Sequence, residues 1–132
     1  ARGHIDICVE MFLRSARMRQ NKMQAQRLST TTYANCYWTL AQIVTHHTSG
    51  GCNLQPGDLL GSGTISGPEE GSEGALIEIT RGGKRPFTLT SGETRTFLAD
   101  GDEVTLRGHC VREGHTRIGF GVAAGAIRPA AK

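Results

Sequence analysis

The chain has 132 residues, a formal net charge of +3, 37% hydrophobic residues, 18 glycines and four prolines. That balance suits one turn-rich globular domain, or part of one, and excludes a disordered or collagen-like chain. No run approaches the roughly 18–20 apolar residues of a membrane-spanning helix, so neither a membrane anchor nor a signal peptide is expected.

Residues 5–13 alternate apolar and polar side chains and predict a strand. The chain enters that pattern directly from Ala1-Arg2-Gly3, so it is expected to be a fragment cut inside a domain and truncated on its N-terminal side. Residues 14–32 are polar and lack sustained periodicity, which predicts a long basic loop. From Met11 to Gly57 there is no Asp or Glu, whereas Arg14, Arg17, Arg19, Lys22 and Arg27 add five positive charges. Nucleic-acid binding would need a stronger basic excess with aromatics interleaved, and residues 11–28 offer only Phe12. A solvated surface is the expectation, with concentration of anions near a pocket the weaker alternative.

Residues 33–48 predict a helix. Tyr33, Tyr37, Leu40, Val44 and His47 recur at steps of four and three, with Ala34, Trp38 and Ala41 widening the stripe. Thr30, Thr31 and Thr32 offer N-caps, Ser49-Gly50-Gly51 ends the run, and Tyr37, Leu40 and Val44 are expected to pack into the core. His46-His47 invites a metal reading, but neighbouring helical positions do not face each other, so packing or hydrogen bonding by His47 is preferred. Cys8, Cys36, Cys52 and Cys110 have neither CxxC spacing nor zinc-finger histidines and predict reduced, buried thiols in a cytoplasmic protein.

Residues 57–129 predict a series of short strands at 59–66, 75–80, 87–89, 103–110 and 117–122. Gly82-Gly83, Ser91-Gly92, Asp100-Gly101 and Glu113-Gly114 supply the turns between them. The fold class expected is mainly β with one helix, a mostly antiparallel roll or sandwich. Within this half, Pro56-Gly57-Asp58-Leu59-Leu60-Gly61-Ser62-Gly63-Thr64-Ile65-Ser66-Gly67 stands out. Gly61, Gly63 and Gly67 lack Cβ atoms, so a ligand or a neighbouring strand can approach the backbone, and Thr64 puts one hydroxyl into that clearing. A tight β-bend explains the same glycines. No lysine follows them, which excludes a phosphate loop of the Walker type. Glu69, Glu70 and Glu73 lie in a glycine-rich loop and read as solvated. Glu78 sits between Ile77 and Ile79 in the predicted strand, so it either faces water or is a carboxylate held inward by a partner.

The stretch from Asn53 to Gly67 resembles the Pro-Gly-Asp…Gly-Thr segment of the fumarylacetoacetate hydrolase family. Tyr37-Trp38-Thr39 and His46-His47 before it, and Gly101-Asp102-Glu103-Val104 and Ile118-Gly119-Phe120-Gly121 after it, extend the resemblance over about residues 6–129. It implies the C-terminal part of that family's β-roll domain. It also implies a hydrolase that cleaves a carbon–carbon bond of 4-fumarylacetoacetate, a diketo acid, to fumarate and acetoacetate in tyrosine and phenylalanine breakdown. By the same resemblance Thr64 aligns with a substrate-contacting threonine, and Glu78 with the glutamate that orients a catalytic histidine. The family's divalent ion, Mg2+ or Ca2+, polarises the diketone oxygens. Its carboxylate ligands, the base histidine and an oxyanion-stabilising arginine and lysine would lie upstream of this region. No metal ligand is therefore assigned in this chain, no ion is expected to bind it, and the chain alone is expected to be inert. The resemblance implies a homodimer, and unpaired strand edges favour assembly independently. Two other classes fit the pattern: a related enzyme, such as an isomerase or decarboxylase of a keto acid, and a noncatalytic β module for binding or assembly.

Overall fold

The computed structural model describes residues 3–131. Ala1 and Arg2 of the opening tripeptide, and Lys132 of the closing Ala130-Ala131-Lys132, lie outside the described residues. The fold is mainly β. Strand β1 (Cys8–Arg14) leads through a short helix α1 (Ala16–Gln20) into β2 (Gln26–Thr32). A single 3-10 turn (Tyr33–Asn35), helix α2 (Leu40–Ser49) and a four-residue helix α3 (Leu76–Ile79) follow. The chain closes with β3 (Phe87–Thr88), β4 (Thr94–Arg95), β5 (Glu103–Cys110) and β6 (Ile118–Ala126).

Four strands form one antiparallel sheet in the order β2-β1-β5-β6, and β3 and β4 form a separate two-stranded hairpin. Strand β1 is central: Cys8 lies opposite Thr32 on one side and His109 on the other. The pairing of β1 with β2 slips between Met11 and Phe12, a bulge that bends the hairpin where β1 runs into the core.

The basic segment 14–32 is therefore not a loop. Leu13 is fully buried at the end of β1, and the Ser15 hydroxyl accepts from Met18 N at 3.1 Å, which caps α1. That turn brings Met18 under Leu13 and Leu89, with Met23, Leu28, Phe87 and Val104 around them. β2 is threonine-rich and pairs along its length with β1, a long-range partnership that local polarity does not reveal. The basic side chains mostly stay at the surface, and Arg27 pairs with Glu10 at 3.3 Å.

The helix predicted over 33–48 is also corrected. Thr32 caps only the 3-10 turn, its hydroxyl accepting from Ala34 N at 3.1 Å, and Cys36 returns the chain to extended backbone. Thr39 then opens α2 through a reciprocal cap with Gln42, at 3.2 Å and 2.9 Å. The predicted glycine stop holds, with Gly50 as C-cap. Helix α2 buries no residue, and Leu40 is 44% and Tyr37 85% exposed, so of the predicted core stripe only Tyr33, in the 3-10 turn, is buried. His46 and His47 are exposed as well, so of the packing or hydrogen bonding expected of His47 the packing is not found. All four cysteines are free thiols, but Cys52 is exposed and Cys8, Cys36 and Cys110 only half-buried.

The sheet end that covers Leu13 is locked by charge. Asp102 is fully buried and accepts from Arg95 Nε at 2.8 Å, Arg95 Nη2 at 3.0 Å and Ala99 N at 3.0 Å. Arg95 Nη2 also reaches Glu93 at 3.1 Å, and Glu93 accepts from the hydroxyls of Ser15 and Ser91. The network ties β4, the start of β5 and the cap of α1 into one unit.

Two outcomes follow. Leu13→Ala should cost about 2–5 kcal/mol of unfolding free energy, whereas Leu40→Ala should cost under about 1 kcal/mol, read from urea midpoints. Hydrogen bonds from Ser15 and Ser91, then Arg95, hold the Glu93 carboxyl down from its ordinary 4.5 to about 2. A depressed folded-state value means that the stabilisation is complete above 4.5 and disappears as the pH falls from 4.5 to about 2. Glu93→Gln should flatten the urea midpoint against pH across that interval, and an unchanged slope would remove Glu93 as its source.

Candidate functional site

The glycine-rich stretch is irregular backbone, not the strand predicted over 59–66. It is pinned at its two ends and free between them. At one end Asp58 closes the Pro56-Gly57 turn, its carboxylate accepting from Gln55 N at 2.8 Å. At the other, Gly67 N donates to Ser72 O at 2.8 Å, and a Cβ on Gly67 would lie 2.7 Å from Ser72 Oγ. A Cβ added at Gly61 or Gly63 would meet no atom within 4 Å, so the backbone there is open to a ligand.

Facing this stretch is the segment between the 3-10 turn and α2. Together they enclose a cleft of about 310 Å³ lined by Asn35, Cys36, Tyr37, Trp38, Ile43, Gly61, Ser62, Thr64 and Ser66. Tyr37 and Trp38 meet edge to face, with centroids 5.1 Å apart and planes at 81°, and form an aromatic wall. Ser62, Thr64 and Ser66 add hydroxyl-bearing residues to the same lining. Burial pushes the Cys36 thiol up, so this side chain stays protonated and is a poor nucleophile at neutral pH. Thr64 thus lies in the wall of a half-polar, half-aromatic cleft.

Glu78 is not in a strand. Ile79 N bonds Ala75 O at 3.2 Å and Thr80 N bonds Leu76 O at 3.0 Å, which makes 76–79 a turn of helix. A short apolar run fits both periods, and here the helical one wins. The Glu78 side chain folds back past the start of α3, and its Oε2 accepts from Gly74 N at 3.0 Å and from Ser66 Oγ at 2.7 Å. The carboxylate is exposed, and its partners are a hydroxyl and a backbone amide, with no arginine or histidine bonded to it among the described residues.

Thr64 and Glu78, both singled out in the sequence, are linked through Ser66 and Gly74. Gly74 lies directly against the Thr64 segment: a Cβ there would stand 2.3 Å from Ile65 O and 2.7 Å from Thr64 Cγ2. Ser66, two residues beyond Thr64, lines the cleft and bonds Glu78. Ser66 and Gly74 were not singled out in the sequence. The signal was there in the Ser66-Gly67 hydroxyl–glycine pair and in Gly74, next to the apolar run. Among the described residues no three His, Cys, Asp or Glu side chains gather as ligands for a metal ion.

This arrangement stands in a chain matched over residues 10–127 by the sequence model of the fumarylacetoacetate hydrolase C-terminal domain. The chain belongs to the fumarylacetoacetate hydrolase family. It is 52% identical over 107 residues to the fumarylacetoacetase of Bos taurus, covering 81% of this chain and 25% of that protein. The human fumarylacetoacetase is 50% identical over 107 residues, with the same 81% and 25% coverage. That of Dictyostelium discoideum is 42% identical over 129 residues, covering 96% of this chain and 29% of the relative. The chain therefore spans about a quarter of the length of the bovine and human relatives, at 25% of each.

The close approach at Gly74 makes it a sensitive probe. Gly74→Ala forces the Ile65 carbonyl aside and should destabilise the chain by about 1–3 kcal/mol, as overpacking does. Amide chemical shifts should move at residues 64–66 and 78 while those of β1 and β5 stay in place.

Proposed function

We propose that this chain is the C-terminal part of a hydrolase that cleaves the carbon–carbon bond of a 4-fumarylacetoacetate-like diketo acid, giving fumarate and acetoacetate. The observation that carries this reading is the link between Glu78 and the cleft of Thr64 through Ser66, in a chain of this family. Thr64 would hold an oxygen of the substrate by its hydroxyl. Tyr37 and Trp38 would cover the conjugated, planar part of the acid and keep water from its apolar face.

Glu78 would act through a histidine supplied from outside this chain. Its exposed carboxylate accepts an imidazole N–H, fixes the tautomer, and stabilises the imidazolium that forms when water gives up its proton. The hydroxide so formed adds to the carbonyl carbon at the fumaryl end. The bond to the acetoacetate carbon then breaks, and that carbon takes the electron pair and a proton. A divalent ion of the kind the family uses finds no donor set among the described residues, so none of these steps is routed through one. On the same reading the longer protein is a cytoplasmic homodimer. The outer edge of β6 is unpaired and its Ile118, Phe120 and Val122 are exposed, which supports assembly. Among the described residues no helix is long and apolar enough to cross a membrane.

The test uses the longer protein that carries this chain, with the chain alone as control. The longer protein should release acetoacetate from fumarylacetoacetate and the chain alone should not. In the longer protein, Glu78→Gln keeps the shape and removes the charge, and kcat should fall on the order of 10²–10⁴-fold with KM little changed. Near-normal turnover in that variant would remove Glu78 from the mechanism.

A further inference from the structure

We propose that Ser66 is a positioning residue for Glu78, acting with the backbone amide of Gly74, and that together they couple the carboxylate to the segment that carries Thr64. The inference rests on the reading of Glu78 given above and adds what that reading lacks: a device that orients the carboxylate. Glu78 is exposed on a helix of one turn, and an exposed glutamate otherwise samples many rotamers. Here a closed triangle of hydrogen bonds restricts it. Ser66 Oγ donates to Glu78 Oε2 at 2.7 Å, Gly74 N donates to the same oxygen at 3.0 Å, and Gly74 N also reaches Ser66 Oγ at 3.2 Å.

The geometry divides the labour between the two carboxylate oxygens. Oε2 is held by two donors. Oε1 accepts no hydrogen bond among the described residues, which leaves it for the N–H of a partner such as an imidazole. A charged acceptor makes such bonds strong enough to hold a side chain that packing does not hold. The triangle also fixes distance. Ser66 is two residues from Thr64, and Gly74 is packed against Ile65 O and Thr64 Cγ2 with no room for a Cβ. Movement of the carboxylate therefore moves the threonine segment, so the partner that Glu78 orients and the substrate held by Thr64 meet in one fixed relation.

The experiment is a double-mutant cycle in the longer protein. Ser66→Ala should lower kcat about 10–10²-fold at nearly constant KM, as loss of an orienting partner typically does. Ser66→Cys, of similar shape but a weaker donor, should give a smaller loss, and Ser66→Thr, which keeps the hydroxyl, should restore most of kcat. In the Glu78→Gln background Ser66→Ala should have little further effect, because both changes disable one unit. A large loss in Glu78→Gln beside near-normal kcat in both Ser66→Ala and Ser66→Cys would overturn this inference alone. So would losses that multiply in the double variant, or a fall in melting temperature with kcat retained. Near-normal kcat in Glu78→Gln would overturn the reading of Glu78 and this inference with it. Should Ser66→Ala fail to fold, the order of Ser66→Thr above Ser66→Cys in kcat carries the same decision, and a reversed or flat order overturns it.

Discussion

The structure depends on one buried charge. Asp102 has no exposed surface, and a carboxylate in that position costs several kcal/mol unless its charge and lone pairs are met. Arg95 meets both oxygens through Nε and Nη2, and Ala99 N supplies a third donor. Each of these partners comes from a different piece of local structure. Arg95 is on β4, Ala99 is in the turn before β5, and Glu93 carries the network on to Ser15 at the start of α1. The pair contributes less through net energy than through selection, since an arrangement without it strands a buried charge. The hairpin β3–β4 is held where Leu89 closes over Leu13 and Met18.

Glu78 shows the opposite use of the same chemical group. It lies in water, so its charge is inexpensive to keep, and two donors hold one oxygen without neutralising the group. Asp102 is consumed by the fold and Glu78 is left available by it. That difference, more than proximity to a cleft, separates a structural carboxylate from one fit to orient a partner. The glycines divide in the same way. Gly67 and Gly74 are glycine because a Cβ would collide with neighbours, whereas Gly61 and Gly63 border open space at the cleft.

The apolar surface has its own logic. Leu40 and Val44 of α2, and Ile118, Phe120 and Val122 of β6, are spaced as core residues but meet solvent within this chain. The bovine relative is longer than this chain, the 107 matched residues being 25% of that protein. On the function proposed above, the rest of the longer protein supplies the histidine that Glu78 awaits, and the β6 face is left for assembly.

Some of this was legible from residue order alone. The strand of residues 103–110, the turn at Ser91-Gly92 and the stop at Gly50 follow from local rules: alternation, and glycine where φ is positive or a helix ends. The family was legible too, because Pro56-Gly57-Asp58 and Gly63-Thr64 are contiguous in sequence. What needed tertiary structure was every choice in which two local answers were equally good. Residues 75–80 fit a strand or a helix, and 26–32 fit a loop or a strand, until a partner elsewhere in the chain decided. Glu78 could be named from the sequence but not placed. Its position depends on Ser66, twelve residues earlier, and on the missing Cβ of Gly74. The sequence by itself determined which side chains could carry charge, hydroxyl or bulk, since these are properties of single residues. Only the tertiary structure decided which of them meet, because a hydrogen bond needs both ends within about 3 Å and no local pattern encodes that distance.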